Sequence, residues 1–507
     1  MPLIFLAALC LSLVVVGVAF ALGSKSIALL GAPFGLAALP LVLRYPQVIL
    51  LAMVFLIPLD VLAALPGGAA AMTLNKLFFP AAMGILFLQY LVKPDRRVGL
   101  HPIDRWLLVW ALYTGLGVAM AVDRDTALDE FRRLGSMWLL YFVLSRAFVE
   151  PAWQRRLLAV VRISVATSIL VGMKSYFAGS NPFSHMATEG ASGNMLVRIT
   201  GASDITPNLF AAFILLPLST SLYAIVGRRG WPRFWGFAGA GIMVIGLVLT
   251  YSRSAFLVMA IMLVLFVITS WKHIPASWLA TGLFGFLACL PLVPGRYWQR
   301  MATLIAFNNS EGGDYSMWRR TNYLKVAKRI IEDHPLFGCG PGNFRVLHSL
   351  AEYQQEVSLI GVQRVAHNMY VTVVTESGII GVVIFLGMWF VVLRSGWRLT
   401  KIPGEVGLYG RTVLLALVGL LMIGVFQITA LNKYLWIMLA MIRALSERAG
   451  REALAVARYQ QAVAASQAAA EQQDSPPMPG VPPPQPQPAL PSGWPGLLER
   501  ALDTSSH

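Results

Sequence analysis

The sequence predicts an all-α membrane protein: a polytopic bundle of about fourteen transmembrane helices, one long loop on the outer side, and a disordered C-terminal tail. Three observations carry that prediction. The 507 residues are 57% hydrophobic and only 13% charged, where a soluble chain carries roughly twice that charged fraction. Long apolar runs recur from the N-terminus to about residue 445, each near the roughly 20 residues a helix needs to cross a bilayer. Lysine and arginine gather in alternate short loops between these runs, the bias that orients membrane helices. The runs are too long and too solidly apolar for barrel strands, which alternate, and helices are the other structure that satisfies its backbone in lipid.

Taken in order, the expected spans are 3–22, 27–43, 47–64, 77–92, 106–122, 135–149, 157–177, 207–226, 235–250, 254–270, 277–293, 368–393, 412–428 and 433–446. The first lacks a basic leader and is long for a signal-peptide core, so it reads as an uncleaved helix. One set of alternate loops holds Arg44, then Lys93, Arg96, Arg97 and Arg105, then Arg146, Arg155 and Arg156. Further on it holds Arg228, Arg229 and Arg233, then Lys272, then Arg394, Arg398 and Lys401. Arg443, Arg448 and Arg451 follow the last span. These loops and both termini are expected in the cytoplasm. The opposite loops are poorer in positive charge, and in 123–133 Asp123, Asp125, Asp129 and Glu130 offset Arg124, Arg132 and Arg133.

Two outer loops are long, 178–206 and 294–366. The second contains a helical stretch, "MWRRTNYLKVAKRIIEDHP", ended by Pro335, and then "LFGCGPGNF", whose glycines and proline mark a tight turn. From residue 447 the composition changes. An Ala- and Gln-rich segment favours helix, and "DSPPMPGVPPPQPQPALP" cannot form a packed core. The expected domains are an N-terminal bundle, 1–177, a second membrane region, 178–446, that includes the outer loop, and a cytoplasmic helix and Pro-rich tail, 447–507.

The net charge of +16 does not point to nucleic acid, because the positive charges lie in short loops beside apolar runs; membrane lipids are the expected surroundings. Cys10, Cys289 and Cys339 have no metal-ligand spacing and imply no disulfide. The outer ends of the spans carry no DxD pair, no His/Cys metal set and no phosphate loop followed by Lys and Ser/Thr. The chemistry is therefore expected to use no metal, no nucleotide triphosphate and no cofactor.

Polar groups near membrane depth are costly and mark functional positions. Three such places fall at outer ends of spans. Arg198 opens "RITGASDITPNLFAAF", Arg253 occupies a tight turn in "LTYSRSAFLVM", and His367 and Asn368 open "HNMYVTVVTESGIIG". Arg253 reads either as a snorkelling side chain or as a fixed charge for an anion that it grips bidentately. Arg198 has the same two readings. Beside it, Asn208 and free amides offer an anion site, while Thr206 with Pro207 reads as ordinary helix capping. His367 is either an interfacial histidine or a general base. At about 100° per residue, Gly378 returns to the face of His367 and Gly381 lies close to it, a small-residue strip suited to another helix or a lipid chain. Glu376 faces the opposite way and is expected to tie this helix to a neighbouring one.

Four pieces occur in a telling order: "RITGASDITPN" before a span, "YSRSAFLVM" at a tight outer turn, "HPLFGCGPGNF" late in a long outer loop, and "AHNMYVTVVTESGIIGVVIFL" opening the next span. Over about residues 190–390 the chain resembles the O-antigen ligase / O-antigen polymerase (Wzy-type) superfamily of bacterial envelope proteins. The resemblance implies a multi-pass protein of the inner membrane with its site in the periplasm. It implies a glycan donor carried on undecaprenyl diphosphate, and as acceptor another glycan chain, lipid A–core or a protein side chain. By motif, His367 matches the family's essential histidine, and Arg253 and Arg198 match arginines that hold the diphosphate. Arg319 and Arg320 in the long loop are further candidates, and no metal is implied. The span count and the Pro-rich tail depart from the simplest ligase pattern and weigh toward an exopolysaccharide polymerase or another member of the superfamily. A secondary transporter or flippase is the alternative, although no internal repeat of the kind transporters show is evident; a non-catalytic envelope scaffold is a third reading.

Overall fold

The structure, a computed structural model, describes residues 45–59, 99–177, 187–189, 195–203, 205–275, 315–354 and 359–473, together with residues 84, 295, 297 and 298. The expected spans 3–22, 27–43, 77–92 and 277–293, and the Pro-rich tail, lie outside the described residues apart from residue 84. So do Cys10 and Cys289.

The described residues form helices, with one pair of three-residue antiparallel strands, β1 (Ala187–Glu189) and β2 (Met195–Val197). The helices are α1 (Gln47–Leu56), α2 (Pro102–Ala119), α3 (Arg124–Ala147), α4 (Pro151–Phe177), α5 (Pro207–Gly227), α6 (Trp231–Leu249) and α7 (Arg253–Ser270), followed by α8 (Tyr315–Asp333), α9 (Phe344–His348), α10 (Met369–Thr400), α11 (Gly404–Ile423) and α12 (Lys433–Gln473). Six of them, α4, α5, α6, α7, α10 and α11, are long and apolar enough to cross a membrane. Charged residues keep α2, α3 and α12 out of that set: Asp104 and Arg105 near the start of α2, the first half of α3, and α12 from Arg443 onward. The chain is a membrane protein with a helical bundle.

Local sequence sets the helix ends. His101 caps α2 reciprocally with Asp104, and Asp123 caps α3. Thr206 caps α5 with Pro207 in the first position, where proline lacks only an N–H that would be unpaired anyway. The bundle centre is α5, α11 and the first three turns of α12, where Tyr434 to Leu445 are almost wholly buried. Lipid supplies no hydrophobic drive between helices, so close approach and buried polar bonds hold them together. Gly236 and Gly239 of α6 lie against Ser221 and Ile225 of α5, and Ser219 Oγ donates to the Thr412 carbonyl at 2.7 Å.

Ion pairs close one end. Glu405, at the start of α11, takes Arg155 at 3.1 Å, Arg228 at 2.7 Å and Arg448 at 3.6 Å. Asp104 accepts from Tyr141 at 2.6 Å and pairs with Arg146 at 3.1 Å and Arg443 at 3.7 Å, joining α2, α3 and α12.

The largest departure from regular helix lies in α10. Gly378, at φ 60 and ψ −170, breaks it into two pieces. The break strips several backbone groups of helical partners, and such groups must be satisfied at membrane depth. The segment from Pro335 to Gly340 supplies most of them. Ile379 N–H donates to the Pro335 carbonyl at 3.0 Å and Ile380 N–H to Leu336 at 3.3 Å. Cys339 and Gly340 N–H donate back to the carbonyls of Thr375 at 2.9 Å and Glu376 at 3.1 Å. Tyr113 Oη of α2 donates to the Ser377 carbonyl at 2.6 Å.

This corrects the expected small-residue strip. A helix broken at residue 378 does not carry the face of His367 past it. Gly378 accommodates loop backbone rather than a second helix or a lipid chain, and Gly381 faces Ser377 and the Tyr113 ring.

Replacing Gly378 by alanine forces a side chain into the left-handed region and against the Leu336 carbonyl. The backbone strain alone costs about 1–3 kcal/mol. Thermal unfolding of Gly378→Ala in detergent is expected several degrees below the parent; an unchanged midpoint would contradict this account of the break.

Candidate active site

The Glu405 cluster gathers the start of α4, the residue after α5, the start of α11 and the middle of α12. The opposite helix ends therefore lie together at the other end of the bundle. These are the end of α4, the start of α5, the turn between α6 and α7, the start of α10, the end of α11 and the start of α12. Contacts there agree: Tyr176 and Tyr251 hydroxyls are 3.2 Å apart, and Met369 N–H donates to the Gly424 carbonyl at 2.7 Å. Arg198, Asn208, Arg253, His367 and Asn368 all sit at this end.

Arg198 is buried. Its Nε donates to the Thr250 carbonyl at 2.7 Å, and a terminal nitrogen donates to Asn208 Oδ1 at 2.7 Å. Ile199 N–H donates to the Leu249 carbonyl beside it. Arg198 and Asn208 thus fix the three-residue turn 250–252, in which Tyr251 has φ 50, and Arg253 begins α7 half-buried. Tyr251 packs on Tyr297 with ring centroids 5.8 Å apart.

The second group forms around His367. Its backbone, at φ 50, is in a region few non-glycine residues adopt. The next residue, Asn368, caps α10, its Oδ1 accepting from Tyr370 N–H at 2.9 Å and Val371 N–H at 3.1 Å. Its side-chain oxygen is thus engaged at the helix end. The imidazole lies between α8 and the turn after α11. Burial is the main influence on it and depresses its pKa below the usual histidine value. A hydrogen bond with Gln427 opposes the shift, while the charges of Arg319, Arg320 and Arg364 reinforce it. The Tyr323 ring of α8 stands 6.0 Å from the imidazole, and the Arg320 guanidinium lies 5.5 Å from the Phe426 ring. The fold therefore brings Arg319 and Arg320 to the histidine.

Three neighbours escaped the sequence reading. Gln427 follows the end of α11, Tyr323 is one polar residue on a loop helix, and Arg364 is three residues before the histidine in an irregular stretch; none of them stands in a motif. His348 was missed as well. It is buried against Tyr323 and Phe344, its Nδ1 is 3.0 Å from the Val362 carbonyl, and burial lowers its pKa too.

Glu376 is buried, and the tie it makes runs through backbone amides. Its two oxygens accept from Gly342 N–H at 2.8 Å and Phe344 N–H at 3.3 Å. Asn343 completes the attachment: its Oδ1 accepts from Asp123 N–H at 2.8 Å and its Nδ2 donates to the Asp123 carbonyl at 3.1 Å. The carboxylate ties α10 both to the loop at Gly342 and to the first residue of α9, Phe344.

A family model described as O-antigen ligase matches residues 238–386. No curated protein matches the chain at a significant level. The matched stretch begins within α6 and ends within α10. It encloses the Arg253 turn, both loop arginines, His367 and the Gly378 break, and it leaves Arg198 and Asn208 outside.

Glu376→Ala leaves the Gly342 and Phe344 amides unpaired, at about 1–3 kcal/mol for each buried group. Amide hydrogen exchange across 338–346 is expected to quicken by at least about tenfold. Unchanged protection would mean that the loop is held by other contacts.

Proposed function

We infer that this membrane protein transfers a glycan from undecaprenyl diphosphate to an acceptor hydroxyl at the periplasmic face of the inner membrane. The observation that carries the reading is a buried, neutral-favouring His367 with Arg319, Arg320 and Arg364 near it, inside the stretch that matches the O-antigen ligase family model. In this reading the end of the bundle bearing His367 faces the periplasm, and the Glu405 end, rich in arginine, faces the cytoplasm.

Each residue then has a role. Neutral His367 accepts the proton of the acceptor hydroxyl as its oxygen attacks the anomeric carbon. The bond from that carbon to the diphosphate oxygen breaks, and the electron pair leaves with the diphosphate. Attack opposite the leaving group inverts the configuration. Arg253, Arg319 and Arg320 neutralise the charge that grows on the diphosphate, work that preorganised cations do without rearranging. Arg198 and Asn208 are positioning residues that aim Arg253 by fixing the Thr250 turn. Gln427 orients the imidazole. The described loop residues 315–354 and 359–366 wall the site and present the acceptor.

The test is reconstitution of the purified chain with an undecaprenyl-diphosphate glycan and candidate acceptors: a second lipid-linked glycan, lipid A–core, or protein. Wild type is expected to join glycan to one of them. His367→Ala is expected to lower the rate by about 10²–10⁴-fold, and Arg253→Ala by about 10²–10³-fold. A wild type that joins glycan to none of these acceptors but moves a solute across the vesicle would overturn the reading in favour of a transporter.

A further inference from the structure

The end of the bundle away from His367 holds a cavity that the transfer reaction does not use. It has a volume of about 270 Å³ and is walled by α4, α5 and α11, with Pro232 of α6 at its edge. The walls follow from helical spacing. On α4, Arg155, Leu158, Ala159 and Arg162 recur at i, i+3, i+4 and i+7, the positions that share one helix face. Arg162 lies two turns beyond Arg155, about 10 Å further along the helix.

Arg155, Arg162 and Arg228 line the cavity, and among the described residues no carboxylate does. Arg155 and Arg228 reach out to Glu405, and Arg228 also donates to Tyr409 Oη at 2.9 Å. Arg162 differs from both. Among the described residues it makes no hydrogen bond or ion pair, although it stands inside a membrane-spanning helix where a lone charge is costly. Its stem is accommodated by a glycine: a Cβ on Gly239 would lie 3.2 Å from Arg162 Cδ and 2.7 Å from Ser221 Oγ. The side chain therefore lines a built space, whereas a snorkelling arginine lies along the lipid-facing surface.

We propose that this cavity binds a phosphate ester, with Arg162 as the charge that no carboxylate among the described residues pairs with and Arg155 and Arg228 flanking it. A planar guanidinium grips phosphate through paired N–H donors, and Tyr223, Thr220 and Thr412 add hydroxyls to the walls. The volume lies just under the roughly 300–1,000 Å³ of sites that take whole drug-sized ligands, which suits a headgroup. Exposed Trp231, Phe234 and Trp235 stand on the first turns of α6, next to the Pro232 edge. Aromatic side chains mark the level of lipid headgroups, so the headgroup of an anionic phospholipid is the source the surroundings favour, and a free phosphate is the other. The site is independent of the transfer reaction.

The test uses the full chain in phosphatidylcholine nanodiscs. In one arm a minor fraction of phosphatidylglycerol is added, and lipid retained on the ejected protein is counted by native mass spectrometry. In the other arm inorganic phosphate is added to discs of phosphatidylcholine alone, and the unfolding temperature is measured. Wild type is expected to retain phosphatidylglycerol, and Arg162→Gln to retain at least about tenfold less, the scale of a lost charge-assisted hydrogen bond. Arg162→Lys keeps the charge without the planar fork, guards against a folding defect, and is expected to fall between them. Arg398→Gln, an exposed arginine at the same end, is expected to behave as wild type. Stabilisation by inorganic phosphate that disappears in Arg162→Gln, without lipid retention, supports the site with a soluble occupant. Equal retention by Arg162→Gln and Arg398→Gln, or no response in either arm, would overturn the proposal.

Discussion

The arrangement of this protein depends on one buried carboxylate placed just before a break in a helix. Glu376 accepts two loop amides, and two residues later Gly378 opens α10 so that the loop backbone completes the interrupted hydrogen bonds. Neither device works alone. An unbroken α10 would leave no edge for Pro335–Gly340 to pair with, and a break without the loop would leave its own backbone groups unpaired in a low-dielectric setting. Together they make a polar loop an integral wall of the bundle.

The consequence for chemistry is positional. The clamped turn lies immediately after α8, so fixing it brings Tyr323, Arg319 and Arg320 to His367. Burial and three guanidiniums both disfavour protonation of the imidazole, which keeps the ring neutral near pH 7. In the proposed reaction the same guanidiniums that repel a proton would attract a diphosphate, so that one set of charges would prepare the base and hold the leaving group. Arg198 serves the first-named arginine turn in a parallel way, through the Thr250 carbonyl and Asn208.

Much of the bundle was legible in the sequence because membrane helices announce themselves by length, apolar composition and flanking charge. Helices α4 to α7, α10 and α11 fall on runs that composition alone marks. The convergence of charges was legible only in part. His367 and Arg253 stand out as polar interruptions of apolar runs, whereas Gln427, Tyr323 and Arg364 look like ordinary loop residues and gain meaning only through tertiary contact. The strip inferred from Gly378 failed for a physical reason. Helical periodicity assumes an intact helix, and a glycine in a hydrophobic run reads equally as a small packing residue or as a site of positive φ. The partners of Glu376 were not legible, because the donors it accepts from are backbone amides, which no sequence pattern displays.

The most direct test of the account is the pH dependence of glycan transfer by the reconstituted protein. A base whose protonated form is disfavoured by burial and by neighbouring arginines is available at neutral pH and is lost only as pH falls through its lowered pKa. The account predicts a rate that is level through neutrality and falls on an acid limb centred below the ordinary histidine value of about 6.5. A limb centred above that value, or a rate indifferent to pH across the acid range, would contradict the assignment of His367 as the buried base.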